Sequence, residues 1–361
     1  MQITSAILIA SSLLTFAAIA CDGDDDVVGS DNNNDASVTS SGNVASSSSS
    51  SSGAAPDSGE DAGPGAQAPG PIEIRFRAVD ADGTTVACGT NGLKIAGLED
   101  ARLGDLRLFV HDVALFREDG TAVNVELEQD GVWQTENVAL LDFENQSAEC
   151  EYAVFGKATT AATNTVVHGT PTASGPFVGV RFVLGVPVAL NHVPVDIANA
   201  PLSSTGMDHG QADGRQFLRT VLYSPQTSPD GGITGTGDHN LLMLRSVCNN
   251  VTADGGIPAA AEECSKPNRP VIELRREGGF DPATHSVLFD VAELFSGYSR
   301  PLGTPGPEDL SGTGRVDCYG PLHAGNAGGS GIARCGTFYP KLGLDYTTGR
   351  ASGMQSVFSI E

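Results

Sequence analysis

The sequence lacks the common signatures of catalysis. It has no Gly-x-Ser-x-Gly nucleophile elbow, no His-Glu-x-x-His zinc motif, no P-loop and no dinucleotide-binding glycine fingerprint. It also has no Cys-x-x-Cys pair, which leaves zinc-ribbon and thioredoxin-like sites without support. We therefore expect a binding protein rather than an enzyme.

Basic residues are scarce. The chain has 20 Lys and Arg against 44 Asp and Glu, for a net charge of −24. Such a surface repels the phosphate backbone, so we expect no nucleic-acid partner. The same charge is compatible with attracting metal cations, and equally with a protein that stays dispersed through like-charge repulsion.

An apolar run extends from Ile7 to Ala20 near the N-terminus, and it is too short for an ordinary membrane-spanning segment. This run ends in small residues before Cys21, which is typical of an exported chain and of a bacterial lipoprotein cleavage site. We expect residues 1–20 to be a signal peptide and Cys21 to carry the lipid, at the cell envelope, facing the periplasm or the exterior. The alternative is an ordinary secretory signal in which Cys21 has no such role.

Apolar residues are almost absent from the next segment, 22–70, which contains nine acids, no base and an unbroken serine run at 46–52. It cannot bury enough apolar surface to offset the entropy of ordering. We therefore interpret residues 21–70 as a lipid-anchor cysteine with a disordered tether, and residues 71–361 as the folded domain.

Six cysteines lie within the folded domain, and an even number in an exported chain indicates three disulfides. Fifteen connectivities are possible. We predict Cys88–Cys150, Cys248–Cys264 and Cys318–Cys335, of which the last two would close short loops.

The apolar pattern of the domain favours strands. Ile72, Ile74, Phe76 and Ala78 alternate with polar residues, and Ala81-Asp82-Gly83 predicts a turn into a returning strand at Thr84–Ala87. The pattern predicts further strands at 106–112, 123–127, 178–184, 271–274 and 287–290. It also predicts one short helix at 291–295. Long loops are expected at 193–214 and 299–331. The fold class is therefore all-β, an antiparallel β-sandwich or barrel with long loops and disulfides.

Histidines are the candidate metal ligands, because neutral imidazole is the commonest ligand for copper and zinc. The seven are His111, His168, His192, His209, His239, His285 and His323. His111 lies within a predicted strand, and His192 lies where a strand gives way to a loop. His209 lies near Met207, and imidazole and thioether together favour Cu(I). Each could equally be an ordinary polar residue, and Trp133, the only tryptophan, could be a core or rim aromatic.

An ordered set of segments resembles the MbnP-like family, also called the metallo-mystery pair four-Cys motif family. The matching segments are 108–113 (LFVHDV), 129–134 (QDGVWQ), 138–144 (VALLDFE), 179–187 (GVRFVLGVP), 190–192 (LNH), 217–219 (FLR), 264–270 (CSKPNRP) and 342–345 (LGLD). The resemblance implies an extracytoplasmic all-β protein that binds copper through histidines. It also implies a di-haem peroxidase-like partner, with which a tryptophan-derived kynurenine is associated in some members.

The sequence departs from the family pattern in the stretch ahead of Phe217-Leu218-Arg219. The family often has Met-x-Trp-x-Trp there, whereas this chain has Met207-Asp208-His209-Gly210-Gln211. The resemblance thus implies copper ligation by His111 and His192, with His209 and Met207 as further candidates, and no kynurenine. His239 is displaced from the position of another histidine often found in the family.

Two other interpretations remain open at this stage. The chain could be a structural or interaction domain that has lost the metal site, in which case its histidines would lie far apart. It could also be a metal-dependent envelope enzyme, which would require an open coordination position beside a carboxylate.

Overall fold

The computed structural model describes residues 69–145, 150, 162–210, 214–231, 233–235, 239–248, 264–298, 315–318 and 335–361. The predicted signal peptide, Cys21 and nearly all of the predicted tether lie outside these residues, as do His323 and most of the predicted 299–331 loop. The described residues fall within one unit, Gly63–Glu361.

The described elements are mostly short strands. In chain order they are β1 Ile72–Val79, β2 Arg102–Phe116, β3 Ala122–Leu127, β4 Gln134–Thr135, β5 Val138–Asp142, β6 Val166–Pro171, β7 Phe177–Leu184, α1 Val188–Asn191, β8 Leu218–Tyr223, β9 Gln226–Thr227, β10 Ile233–Gly235, β11 His239–Leu244, β12 Val247–Cys248, β13 Cys264–Lys266, β14 Val271–Phe280, β15 Ser286–Asp290, α2 Val291–Phe295, β16 Arg315–Cys318, a 3₁₀ turn Pro340–Leu342, and β17 Phe358–Ile360. The all-β prediction is confirmed.

The longest strand, β2, joins two arms of the main sheet. Its first half pairs with β8 on one edge and β5 on the other, and its second half pairs with β7 and β3. The register with β7 shifts between His111 and Ala114, and Asp112 has a positive φ of 50°. An irregularity of this kind bends a strand, and it lies next to His111.

The two arms share one apolar core. The ring of Phe182 on β7 lies 5.4 Å from that of Phe76 on β1 and 5.3 Å from that of Phe358 on β17, both edge-on. In the strand order β16-β11-β8-β2-β3-β6-β1-β15-β17, β7 lies off the path and pairs with β2 and β14, so its contacts with β1 and β17 are made across the interior. Such packing of alternate inward-facing residues is that of a sandwich or barrel.

Most strand pairs are antiparallel, as predicted, but two are parallel. β1 pairs with β15, and β11 pairs with β16, in parallel register. A parallel neighbour cannot be reached by a tight hairpin and needs a long connection, so local turn signals do not reveal it.

The returning strand predicted at Thr84–Ala87 is reduced to a single bridge between Val79 and Thr85. The carboxylate of Asp80 accepts hydrogen bonds from the backbone N–H groups of Asp82, Thr84 and Lys94. The turn is therefore held by one buried side chain together with two backbone hydrogen bonds, from Val86 to Ala78 and from Asp80 to Thr84.

The helices of the described part are short. α2 begins at Val291, where the side chain of Asp290 accepts the N–H of Glu293 as an N-cap. No helix of the residues described above is long and apolar enough to cross a membrane.

Two of the three predicted disulfides are present. Cys88 is bonded to Cys150 and Cys248 to Cys264. The side chain of Cys318 lies outside the described residues, so Cys318–Cys335 stays a prediction.

Candidate metal centre

His111 lies at the bend of β2, where the strand passes from one arm of the sheet to the other. It is opposite Val138 on β5 and Val183 on β7, and it is only 4% exposed to solvent. Its neighbour Asp112 faces outward and is held by a 2.7 Å hydrogen bond from Nδ2 of Asn137. The bend therefore turns an imidazole inward at a position between two strands.

Neither ring nitrogen of His111 makes a hydrogen bond within the described part of the chain. The Oδ2 atom of Asp112 lies 3.0 Å from Nδ1, in an electrostatic contact that lacks hydrogen-bond geometry. Buried polar side chains are normally paired with protein or ordered water, so an unpaired imidazole indicates a site for another group.

The protonation state of His111 also suits a ligand. The pKa of His111 is lowered from 6.5 to about 4, chiefly because the ring is buried; Asp112 opposes the shift, and the positive charge of Arg269 adds to it. The ring is therefore neutral at neutral pH, and the neutral ring is the form that binds metals.

His192 follows the single turn of α1 and is 2% exposed. Its Nε2 atom lies 3.0 Å from Nδ2 of Asn191. The same Asn191 nitrogen lies 3.0 Å from Oγ of Ser246, and the Oδ1 atom of Asn191 accepts the backbone N–H of Arg215 at 3.0 Å. His192 is thus part of a buried polar network, unlike His111.

Arg215 organises the loop that carries the other two candidates. Its guanidinium is fully buried and donates to the carbonyls of Asn191, Val193 and Leu202. A single side chain therefore ties both ends and the middle of the predicted 193–214 loop to one another.

Met207 and His209 differ in their surroundings. Met207 is fully buried within the apolar core, and its carbonyl accepts the N–H of Gln216. His209 is half-buried and is fixed through its backbone N–H, which donates to the carbonyl of Gly214. A metal bound by Met207 would have to lie against the core.

The described residues contain no group of three His, Cys, Asp or Glu side chains placed to hold a metal ion. The predicted ligands are imidazoles and one thioether. That donor set fits a soft ion such as Cu(I) better than Ca²⁺ or Mg²⁺, which take several oxygen ligands.

Comparison with known proteins identifies the family. The family model for MbnP matches residues 69–305. The chain belongs to the MbnP family. Its membership supports a methanobactin-related, extracytoplasmic protein. No curated protein matches the chain.

A solved member of the MbnP family has the same fold. MbnP from Methylosinus trichosporium is 26% identical to this chain, with a TM-score of 0.58. The match covers 81% of this chain and 98% of that one. The likeness extends over nearly the whole of the solved protein.

The MbnP-like segments of this chain also contribute to a second buried polar network. Asp105, Arg107 and Arg219 are all at most 1% exposed. Asp105 accepts two hydrogen bonds from Arg107, at 2.8 and 2.6 Å, and a third from Nε of Arg219 at 2.6 Å. Burial opposes the charge on Arg107, but Asp105, Asp142 and Glu144 together raise its pKa.

The sequence predicts neither the network around Asn191 nor the network around Asp105. One signal was available, because Asp105 and Arg107 occupy alternate positions in an otherwise apolar strand and must share a face. No comparable signal links Asn191 to Ser246, since 55 residues separate them.

Two other sequence expectations can be placed. Trp133 is partly buried and packs against the core, which agrees with its interpretation as a core or rim aromatic. His239 begins β11, but its side chain lies outside the described residues.

Proposed function

We propose that this MbnP-family chain is an extracytoplasmic, lipid-anchored copper-binding protein that captures or delivers copper at the cell envelope. The observation that carries the proposal is the buried, neutral imidazole of His111, whose Nδ1 has the electrostatic contact with Asp112 and whose Nε2 has no hydrogen-bond partner in the described structure. Membership of the MbnP family supports the choice of copper, because the resemblance to that family implies copper binding through histidines.

The ligands proposed are His111 and His192, with Met207 and His209 as further candidates. Bound copper would supply a soft, redox-active cation, and the protein would determine its affinity. Burial of His111 keeps the ring neutral, so one nitrogen is free of hydrogen, and a second proton competes for it only as the pH falls towards the lowered pKa of about 4.

We expect wild type to bind one equivalent of Cu(I) with submicromolar affinity, and His111→Ala to weaken that binding by at least about 100-fold. Loss of a residue that only supports a ligand typically costs about 10–100-fold, so loss of a ligand should cost no less. Competition titration against a chromogenic Cu(I) chelator measures the change, and His192→Ala should weaken binding too.

The matched control is His168→Ala. His168 is also on a strand, but its side chain is 40% exposed and lies 4.0 Å from Glu73. This variant should bind copper as wild type does. Equal, weak binding by wild type, His111→Ala and His192→Ala would reject these ligands and favour a domain that has lost its metal site.

The anchor is tested separately. We expect Cys21→Ala to move the protein from the membrane fraction to the soluble fraction, because the variant cannot carry the proposed lipid and loses the membrane affinity that buried acyl chains provide. Immunoblotting of fractionated cells measures the distribution. Retention of Cys21→Ala in the membrane fraction would contradict lipidation at this residue and leave the copper proposal standing.

A further inference from the structure

The side chains around His192 form one continuous hydrogen-bonded chain that is closed off from solvent. Asn191 and Arg215 are fully buried, Ser246 is 1% exposed and His192 is 2% exposed. The chain runs from the Cys248–Cys264 disulfide to Ser246, then to the amide of Asn191, and from there to His192.

The groups at the two ends of this hydrogen-bonded series determine which group donates in each hydrogen bond. A backbone N–H can only donate, so the Asn191 atom 3.0 Å from the nitrogen of Arg215 must be the carbonyl oxygen. If the amide were turned over, two donors would face each other at that distance. A disulfide sulfur has no hydrogen, so the Ser246 hydroxyl donates to Sγ of Cys248, 3.2 Å away, and its oxygen is left to accept.

The amide nitrogen of Asn191 is therefore a donor to both Ser246 and His192. It follows that Nε2 of His192 is an acceptor and carries no hydrogen. In a neutral ring the proton is then on Nδ1.

We propose that Asn191 is a positioning residue that fixes His192 in the Nδ1–H tautomer and occupies the Nε2 lone pair. The consequence for metal binding rests on the copper-binding function proposed above. Copper could take Nε2 only by displacing the Asn191 N–H, so this amide competes directly with the metal for His192. His111 meets no such competitor among the described residues.

Close packing prevents the amide from swinging aside freely. Gly214 has a φ of +75°, and a Cβ atom at this position would lie 2.5 Å from Nδ2 of Asn191 and 2.8 Å from its Cγ. The loop backbone therefore approaches the amide as closely as a glycine allows. Gly210, in the same loop, also has a positive φ of +94°, but a Cβ atom there would meet nothing within 4 Å.

The test is the tautomer of His192 in the metal-free protein, read from long-range ¹H–¹⁵N correlations of the uniformly ¹⁵N-labelled chain at neutral pH. The resonances of His192 are assigned by their loss in His192→Ala. We expect a single Nδ1–H tautomer in wild type. An Nε2–H ring would overturn the proposal, and because this spectrum needs no substitution near the ring, it decides the matter even if the variants below fold poorly.

Asn191→Asp tests the role of the amide. Its carboxylate still accepts the N–H of Arg215 but has no hydrogen for His192, so the ring must donate and the tautomer should change from Nδ1–H to Nε2–H. An unchanged tautomer would overturn the role of Asn191. Gly214→Ala should destroy the single tautomer while Gly210→Ala preserves it, and equal spectra for the two would contradict the packing argument.

The measurement separates this inference from the function on which its consequence rests. It is made without copper, so a protein that binds no copper but shows the Nδ1–H ring would reject the proposed function and uphold the role of Asn191. If the protein binds copper but His192 is an Nε2–H ring before copper is added, the proposed function is upheld and the role of Asn191 is rejected.

Discussion

We expect Asp105→Asn to destabilise the fold by about 3–5 kcal/mol, the cost of removing one partner from a buried ion pair. Asn has nearly the same shape as Asp, so the substitution leaves no cavity and removes mainly the charge. Asp105 accepts three hydrogen bonds from the guanidinium groups of Arg107 and Arg219, on the neighbouring strands β2 and β8. Urea unfolding of the purified protein followed by circular dichroism measures the loss.

The control is an exposed pair of the same length. Glu73 and Arg75 are 2.6 Å apart, as Asp105 and Arg219 are, but their side chains are 47% and 43% exposed. Glu73→Gln should therefore cost roughly 0–1 kcal/mol, since solvent screens the charges. If the two substitutions cost the same, water must reach Asp105 in solution and its buried position would be refuted.

Asp105→Asn should cost much more than Glu73→Gln because buried charges are not screened by solvent. Arg107 lies opposite Asp142 on β5 and opposite Arg219 on β8, so two cations are adjacent across the sheet. Asp105 is the anion that contacts both of them. Without it, the two guanidinium groups would repel each other in a region that water does not reach.

Strands with one polar face are the easiest to predict from the sequence. β1 and β3 alternate between buried and more exposed residues, and their period of two is visible in the sequence. β5 and β8 are buried at every position, so their sequences show no alternation between apolar and polar residues and do not predict strands. Position in the sheet, rather than local propensity, accounts for the difference.

The candidate site was predictable to a similar extent. The resemblance points to His111 and His192 by residue type and neighbours, and the structure buries both. It could not indicate that one ring is unpaired while the other is held by Asn191, because that depends on Ser246 and Arg215, which are distant in the chain. Hydrogen-bond direction is a property of the folded network and leaves no trace in composition or spacing.

The two disulfides should differ in their contributions to stability. The sequence separation is 62 for Cys88–Cys150 and 16 for Cys248–Cys264. If a disulfide acts by restricting the unfolded chain, replacing both cysteines by serine should cost about 4 kcal/mol for the longer loop and about 3 kcal/mol for the shorter. Urea unfolding of the two double variants under oxidising conditions measures the costs.

The reverse order would be informative about the folded state. The sulfur of Cys248 accepts a hydrogen bond from Ser246, which in turn holds the amide of Asn191. A larger loss from the shorter loop would contradict the chain-entropy account and mean that this disulfide acts mainly by holding the native network around His192. The tautomer of His192 in Cys248→Ser/Cys264→Ser distinguishes the two causes, because restricting the unfolded chain has no effect on a ring in the folded protein.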